Sequence, residues 1–312
     1  MPTKMPARFT DPTAARKYLE ALLWADGRPC AHCGVLDEST ALKGKSTRPG
    51  VYWCNACQKP FSVTVGTVYE DSKVPLNTWL YANHLLCSSK KGISGHQLSR
   101  MLGVTYKTAW FMAHRIREAM APAPGSEPPL GGDGFVVEAD ETYIGKKDGP
   151  KGRKARGAGG AGHKRTILSL VERGGKIRSF KIGAPTQHEV KAAIRANVDP
   201  ASTLHTDGSQ IYKGSPVAAF HESVDHKTQY VRQGRDEKVH TNTLEGFFSV
   251  FKRGMVGTYQ HCGEQHLQRY LAEFDFRANH RVKLGYSDDM RADVALAGIT
   301  GKRLTYRRTN AA

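Results

Sequence analysis

Acidic residues are scarce in this sequence. Asp and Glu total 29 against 46 Lys and Arg, leaving a formal net charge of +17. A folded chain with that imbalance points to a polyanionic partner, nucleic acid first and an anionic membrane surface a distant second. Long apolar runs are also missing. None approaches the ~18 residues needed to cross a bilayer. The opening stretch, MPTKMPARFTDPTAARKYLEALLW, lacks the positive-then-apolar layout of an export signal. These absences argue against an integral membrane or secreted protein. What is present suffices for a core: 39% of the residues are hydrophobic and 9% aromatic, which excludes global disorder. A length of 312 residues suggests one large domain with one or two small ones.

Cysteine is sparse but patterned. Of six cysteines, four form two pairs, Cys30-x-x-Cys33 and Cys54-x-x-Cys57. Two thiolates at that spacing grip one face of a tetrahedral ion, and two such knuckles complete a four-sulfur shell. Gly50–Trp53 reads as a strand entering the second knuckle and 61–65 as the strand leaving it, so the segment predicts a zinc ribbon holding structural Zn²⁺. Two disulfides or a redox dithiol are the competing readings, and disulfides fit poorly with a basic chain lacking an export signal. Cys87 and Cys262 stand alone and read as ordinary semi-buried thiols.

Residues 8–25 predict a helix, with Asp11 as its N-cap and Pro12 in the first helical position. Residues 75–120 predict further helices. Within them Ser94 to Arg117 has a helix-turn-helix layout: Leu98 and Leu102 pack the first helix, Gly103 makes the turn and Thr105 caps the second helix. Trp110, Ala113 and Ile116 supply that helix's inner face, leaving Tyr106, Lys107, His114, Arg115 and Arg117 for DNA. A plain helical hairpin is the alternative. Residues 121–134 are a linker by composition.

Beyond the linker the pattern is α/β. Strands are predicted at Phe135–Tyr143, Arg165–Val171, Ile177–Ile182 and Ser202–Thr206, and helices at His188–Asn197, Thr241–Arg253 and His266–Asn279. Residues 146–165 carry eight Lys or Arg and one acid, and read as a loop that clamps phosphates or is simply solvated. Asp140 ends the first of these strands, Asp207 follows the fourth, and Glu245 lies on the penultimate helix. In a ribonuclease-H-like sheet the first and fourth strands are central neighbours, so the two aspartates would lie side by side and the helix would bring Glu245 to them. Three oxygen donors of this kind hold Mg²⁺ or Mn²⁺, and a pair of such ions supports in-line phosphoryl transfer. Lys252 lies two turns beyond Glu245 on the same helix face, within reach of a DNA phosphate beside Arg253. Asn242 is one turn earlier and is a further donor candidate. Glu141 competes with Asp140 for the first position, but strand alternation turns it to the opposite face.

The stretches Val137-Glu-Ala-Asp140-Glu-Thr-Tyr-Ile-Gly145, His205-Thr-Asp207-Gly-Ser-Gln-Ile-Tyr212 and His240-Thr-Asn-Thr-Leu-Glu245-Gly-Phe-Phe-Ser-Val-Phe-Lys252 resemble bacterial insertion-sequence transposases of the zinc-ribbon DDE type, the ISXO-like group. So do Arg269–Arg281 and Gly301–Arg307, and the likeness covers nearly the whole chain. It implies a ribonuclease-H-like catalytic core, a catalytic divalent metal, and movement of a DNA element by cleavage and strand transfer. It further implies double-stranded DNA as partner, a homo-oligomer on that DNA, and a bacterial cytoplasmic, nucleoid-associated location. In that group the third acidic position can be Asn with a Lys beyond it, so Asn242 and Glu245 both remain candidates. The division predicted is an N-terminal helix (1–26), zinc ribbon (27–70), helix-turn-helix DNA-binding region (71–120), linker (121–134), catalytic domain (135–285) and basic tail (286–312). A catalytically silent DNA-binding regulator and a ribonuclease-H-like nuclease are the alternative functions.

Overall fold

The computed structural model describes residues 5–123, 125–147, 164–213, 218–225, 228–235 and 237–305. Most of the basic loop predicted at 146–165 and the end of the tail, 306–312, lie outside the described residues. The helices are α1 (Ala7–Thr10), α2 (Pro12–Leu23), α3 (Leu76–Ser88), α4 (Gly95–Leu102), α5 (Tyr106–Met120), α6 (Gln187–Asn197), α7 (Asn242–Gly254), α8 (Leu267–Asn279) and α9 (Asp288–Ala297). The strands are β1 (Ser39–Ala41), β2 (Tyr52–Cys54), β3 (Pro60–Phe61), β4 (Val136–Lys146), β5 (Lys164–Glu172), β6 (Ile177–Ile182), β7 (Thr203–Asp207), β8 (Phe220–Val224), β9 (Arg232–Gln233) and β10 (Lys238–Val239). None of the described helices is long and apolar enough to cross a membrane. The chain divides into two compact units, Met1–Ala121 with Gly285–Ala312, and Pro122–Leu284.

In the first unit, Asp11 splits the predicted N-terminal helix in two. Its extended backbone ends α1, and its carboxylate caps α2 by accepting from the Thr13 and Ala14 amides at 3.0 Å each. The ribbon is a three-stranded antiparallel sheet ordered β1-β2-β3. Trp24, Tyr52 and Phe61 pack with Cys30 and Cys54 in its small core. The strand predicted over 61–65 is shorter, because the chain turns at once: the Val65 amide donates to the Ser62 carbonyl at 3.0 Å. Downstream, Ser94 caps α4, Gly103 takes the left-handed conformation at φ 64°, and Thr105 caps α5.

The reading of 286–312 as a basic tail needs correction. Ser287 caps α9, accepting from the Met290 amide at 3.2 Å, and α9 packs against α2, α3 and α5. Asn83 donates to the Ala292 carbonyl at 2.9 Å, and Arg291 to the Cys87 carbonyl at 2.9 Å. The chain then returns past the ribbon, where Gly301 donates to the Gly66 carbonyl at 2.8 Å. Lys302 spends its charge on the carbonyls of Ala119, at 3.0 Å, and Ala121.

The second unit is built on a five-stranded mixed sheet ordered β6-β5-β4-β7-β8. β6, β5 and β4 form an antiparallel meander, while β7 and β8 run parallel to β4. β8 was missed in the sequence because, at the sheet's edge, only Val224 of its five residues is buried. Alternation along the strands sorts two cores. Val137, Ala139, Leu168 and Leu170 face α6 with Val190 and Ile194, whereas Ile167, Val171 and Ile177 face Leu244, Phe247, Phe251 and Phe274 of α7 and α8. α8 also closes the free edge of β6. Asp275 accepts from the Ser179 amide at 2.7 Å, Asn279 from that of Ile177 at 2.7 Å, and Gln268 from that of Lys181 at 3.1 Å. Side chains thus satisfy the edge amides that would otherwise invite another strand.

Candidate functional site

Two clusters of metal-donor side chains emerge, one in each unit. The first is the cysteine tetrad. The ligand atoms of Cys30, Cys33, Cys54 and Cys57 all lie within 4.8 Å of one another. The Cys30–Cys57 and Cys33–Cys54 sulfurs are 3.6 and 3.7 Å apart. A sulfur tetrahedron with 2.3 Å metal bonds has edges of about 3.8 Å, whereas a disulfide needs about 2.05 Å. The donor set therefore fits zinc and excludes the disulfide reading. Each knuckle is shaped by an amide pointing at sulfur, His32 N to Cys30 Sγ at 3.4 Å and Cys57 N to Cys54 Sγ at 3.5 Å. The residue after each pair is left-handed, Gly34 at φ 77° and Gln58 at φ 54°.

The second cluster lies where β7 ends beside the middle of β4; Asp140, expected at the end of its strand, lies within β4, which continues to Lys146 along β5. The parallel register pairs Ala139 with Thr206, so Asp140 and Asp207 follow as the next residues on adjoining strands. Asp140 shares its face of β4 with Glu138, the face against which α7 packs. One oxygen of each aspartate is pinned by backbone: Asp140 Oδ1 accepts from the Glu141 amide at 2.8 Å and Asp207 Oδ1 from the Ser209 amide at 3.0 Å. Among the described residues the second oxygen of each has no hydrogen-bond partner, so one donor atom apiece is left for a ligand. Burial pushes the Asp140 carboxyl up to about 8, helped by the charges of Glu141, Asp207 and Glu245. That is the electrostatic signature of carboxylates gathered without a counter-charge. They are a looser group than the thiols: among the described residues the cysteines alone bring three or more donor atoms close enough to hold one ion.

Glu141 points to the other side of β4, where the Tyr212 hydroxyl donates to its Oε2 at 2.6 Å. Its carboxyl is raised by burial, against the pull of that hydrogen bond and with the charge of Asp207 adding to the rise. Asn242 is the first residue of α7 and Glu245 sits in its first turn, both exposed. Lys252 and Arg253 are exposed in its last turn.

The predicted DNA-facing set on α5 divides. Tyr106 is 47% exposed and stacks on His96 with ring centroids 4.2 Å apart, and Lys107 is exposed beside it. His114 and Arg117 are only 1% and 2% exposed, so assigning them to DNA is corrected. Arg115 is likewise engaged, donating to the carbonyls of Leu304 at 3.1 Å and Glu70 at 3.0 Å. The physical reason is that α3, α4 and α9 all pack on α5, leaving only its first turn open.

Sequence reasoning missed Glu138, which accepts from the first amides of α7, and Arg173, which pairs with Glu138 at 2.9 Å. The available signal was Glu138 itself, an acid two residues before Asp140 and therefore on the same strand face.

Comparison with known proteins matches a family to each of the two regions. Residues 11–60 match the transposase zinc-ribbon domain family. Residues 129–279 match the ISXO2-like transposase domain family. The chain is 28% identical over 287 residues to an uncharacterized protein in transposable element ISH50 of Halobacterium salinarum, covering 86% of this chain and 91% of that relative. The two matches, a transposase zinc-ribbon domain followed by an ISXO2-like transposase domain, bear out the resemblance read in the sequence.

Proposed function

We propose that the protein is a metal-dependent DNA transposase that cuts the ends of its own element and joins them to target DNA. The observation that carries this reading is the meeting of Asp140, inside β4, with Asp207 at the end of the neighbouring parallel strand β7, with the charge of Glu245 reaching Asp140 from α7. The strand order, with helices on both faces of the sheet, supports a ribonuclease-H-like core. Hard oxygen donors on rigid strands suit Mg²⁺ or Mn²⁺. Asp140, Asp207 and Glu245 would hold the metal, with Asn242 the alternative third donor. When bound there, such ions supply activation of an attacking hydroxyl and stabilisation of the leaving oxygen.

The chain's own groups do the remaining work. Lys252 and Arg253, exposed on α7, hold DNA phosphates beside the carboxylates. α4 and α5 act as a helix-turn-helix that offers Tyr106 and Lys107 to an element end, and the zinc ribbon adds a second binding module. The attacking groups are water and then a DNA 3′-hydroxyl, so no side-chain nucleophile is needed. Joining two ends in one event requires at least two copies of the chain on DNA.

The test is a strand-transfer assay. Labelled DNA flanking the gene would be mixed with supercoiled target, Mg²⁺ or Mn²⁺, and either the wild type or Asp207→Asn. The expected result is joined products from the wild type only, with the variant still binding ends but slowed by ~10³-fold or more. Joined products from Asp207→Asn would overturn the metal assignment. A wild type that binds without cutting would favour the silent regulator, and one that cuts without joining would favour the nuclease.

A further inference from the structure

Helix α7 starts without a cap of its own. Thr241 occupies the N-cap position, yet its side chain makes no capping hydrogen bond, although the first amides of a helix need acceptors. The acceptor comes from strand β4 instead. Glu138 Oε2 accepts from the amides of Thr243 at 3.1 Å and Leu244 at 3.3 Å, and Oε1 accepts from the Thr243 hydroxyl at 3.0 Å. A carboxylate at that end of a helix is also favoured by the helix dipole.

Glu138 is 0% exposed, so its charge requires a counter-charge against it. Arg173, immediately after β5, supplies it through Nε at 2.9 Å. Its remaining donors spread along the segment that leads into α7. Nη1 donates to Glu237 Oε2 at 2.6 Å and the Lys238 carbonyl at 3.0 Å, and Nη2 to the His240 carbonyl at 3.0 Å and His240 Nδ1 at 3.1 Å. The Arg173 amide meanwhile donates to the Val136 carbonyl at 3.0 Å. The guanidinium fork makes this distribution possible where a lysine's point charge would not.

This bridge has a consequence for the carboxylate cluster. Glu138 is two residues from Asp140 on the same face of β4, and its partners Thr243 and Leu244 immediately precede Glu245. We infer that Glu138 and Arg173 are positioning residues: their ion pair fixes the first turn of α7, and with it Asn242 and Glu245, against the strand that carries Asp140. The effect on activity rests on the proposed function; the anchoring of α7 does not.

The test uses the full chain with Glu138→Asp, which keeps the charge and its partner Arg173 but shortens the side chain so that it falls short of the α7 amides. Arg173→Lys is the second variant, since it keeps the charge and loses the fork. Three readouts are compared with wild type: amide exchange along α7, Mn²⁺ binding by calorimetry without DNA, and end cleavage resolved into kcat and KM. Faster exchange is expected at Thr243 and Leu244 but not at Phe251. Mn²⁺ binding and kcat are expected to fall by ~10–100-fold with KM for the ends unchanged. Wild-type values for all three readouts would overturn the inference. So would exchange that rises evenly through the sheet and both helices, since the pair would then be serving general stability. If the first turn alone loosens in a protein whose wild type neither binds Mn²⁺ nor cuts, the anchoring stands and the proposed function fails.

Discussion

The two donor clusters of this protein are positioned by opposite means. In the ribbon, two short turns each present a pair of sulfurs, and the turns set the geometry within a pair. Little else holds the turns together, because the three strands around them have only two or three residues each. The carboxylates come from the middle of one strand, the end of another and the start of a helix. Their positions are set by a full sheet, two apolar layers and an ion pair. The difference teaches which site needs its ion to fold. Zinc supplies the cross-link that the ribbon's core is too small to provide. The sheet unit has its own core, so the ion proposed there would contribute to chemistry more than to folding.

The contrast can be broken most sharply by removing zinc. Chelation, or Cys54→Ser, is expected to unfold the ribbon, with a loss on the order of 10 kcal/mol of metal-coupled folding energy. Specific end binding should weaken with it, while the amides of β4 and β5 keep their exchange protection. A ribbon whose near-ultraviolet signal and DNA affinity survive chelation would contradict the comparison.

A smaller effect comes from the charges in the sheet unit. The Asp140 carboxyl is raised by burial and by Glu141, Asp207 and Glu245, to about 8, and burial raises Asp275 to about 7. Both bind a proton more tightly folded than unfolded, so their contribution to stability falls progressively as pH rises from about 4 and is gone above about 7 to 8. His205 is pushed down to about 4 by burial and by the Arg173 charge, so its contribution is lost as pH falls from 6.5 toward that value. The two carboxyls together outweigh His205, so on these groups the metal-free protein should lose thermal stability as pH rises from about 4 to about 8. Asp140→Asn should flatten the alkaline side, and Mn²⁺ should do the same. An alkaline limb unchanged by Asp140→Asn would mean that the carboxylates are not a coupled group.

The smallest effect sharpens the comparison within the ribbon itself. Gln58 holds the left-handed position that Gly34 holds in the first knuckle. Gln58→Gly is expected to stabilise the zinc-loaded ribbon by about 0.5–1 kcal/mol, read from its melting or chelator-competition midpoint. Destabilisation would show that the Gln58 side chain contributes more than its backbone costs.

The same division explains what was legible in the sequence. Cysteines three residues apart are a local signal, so the tetrad could be read without knowing the fold. The four main strands and three helices of the sheet unit follow from apolar periodicity, and the motifs around Asp140, Asp207 and Glu245 already pointed to the family that the comparisons support. What failed was whatever depended on a distant partner. α5 reads as a helix with one outer face, but α9, from the far end of the chain, covers part of that face together with α3 and α4. This is why His114 and Arg117 are buried rather than available to DNA. α9 itself was passed over as tail, although Ser287 followed by Asp288 and Asp289 is a helix-start signal. Glu138 was invisible as a cap because its helix begins 104 residues later in the chain, at Asn242.

The central claim is that Asp140, Asp207 and Glu245 act as one site although they arise on three elements. It is tested most directly by the rate of element-end cleavage in Mn²⁺ for Asp140→Asn, Asp207→Asn and Glu245→Gln, made singly and together, with Asn242→Ala alongside. Residues acting as a unit are strongly non-additive, so each single carboxylate variant should lose about as much as the triple, on the order of 10³-fold or more. Asn242→Ala should lose far less. Cleavage by Glu245→Gln at the wild-type rate, with Asn242→Ala inactive, would contradict the account and make Asn242 the third donor.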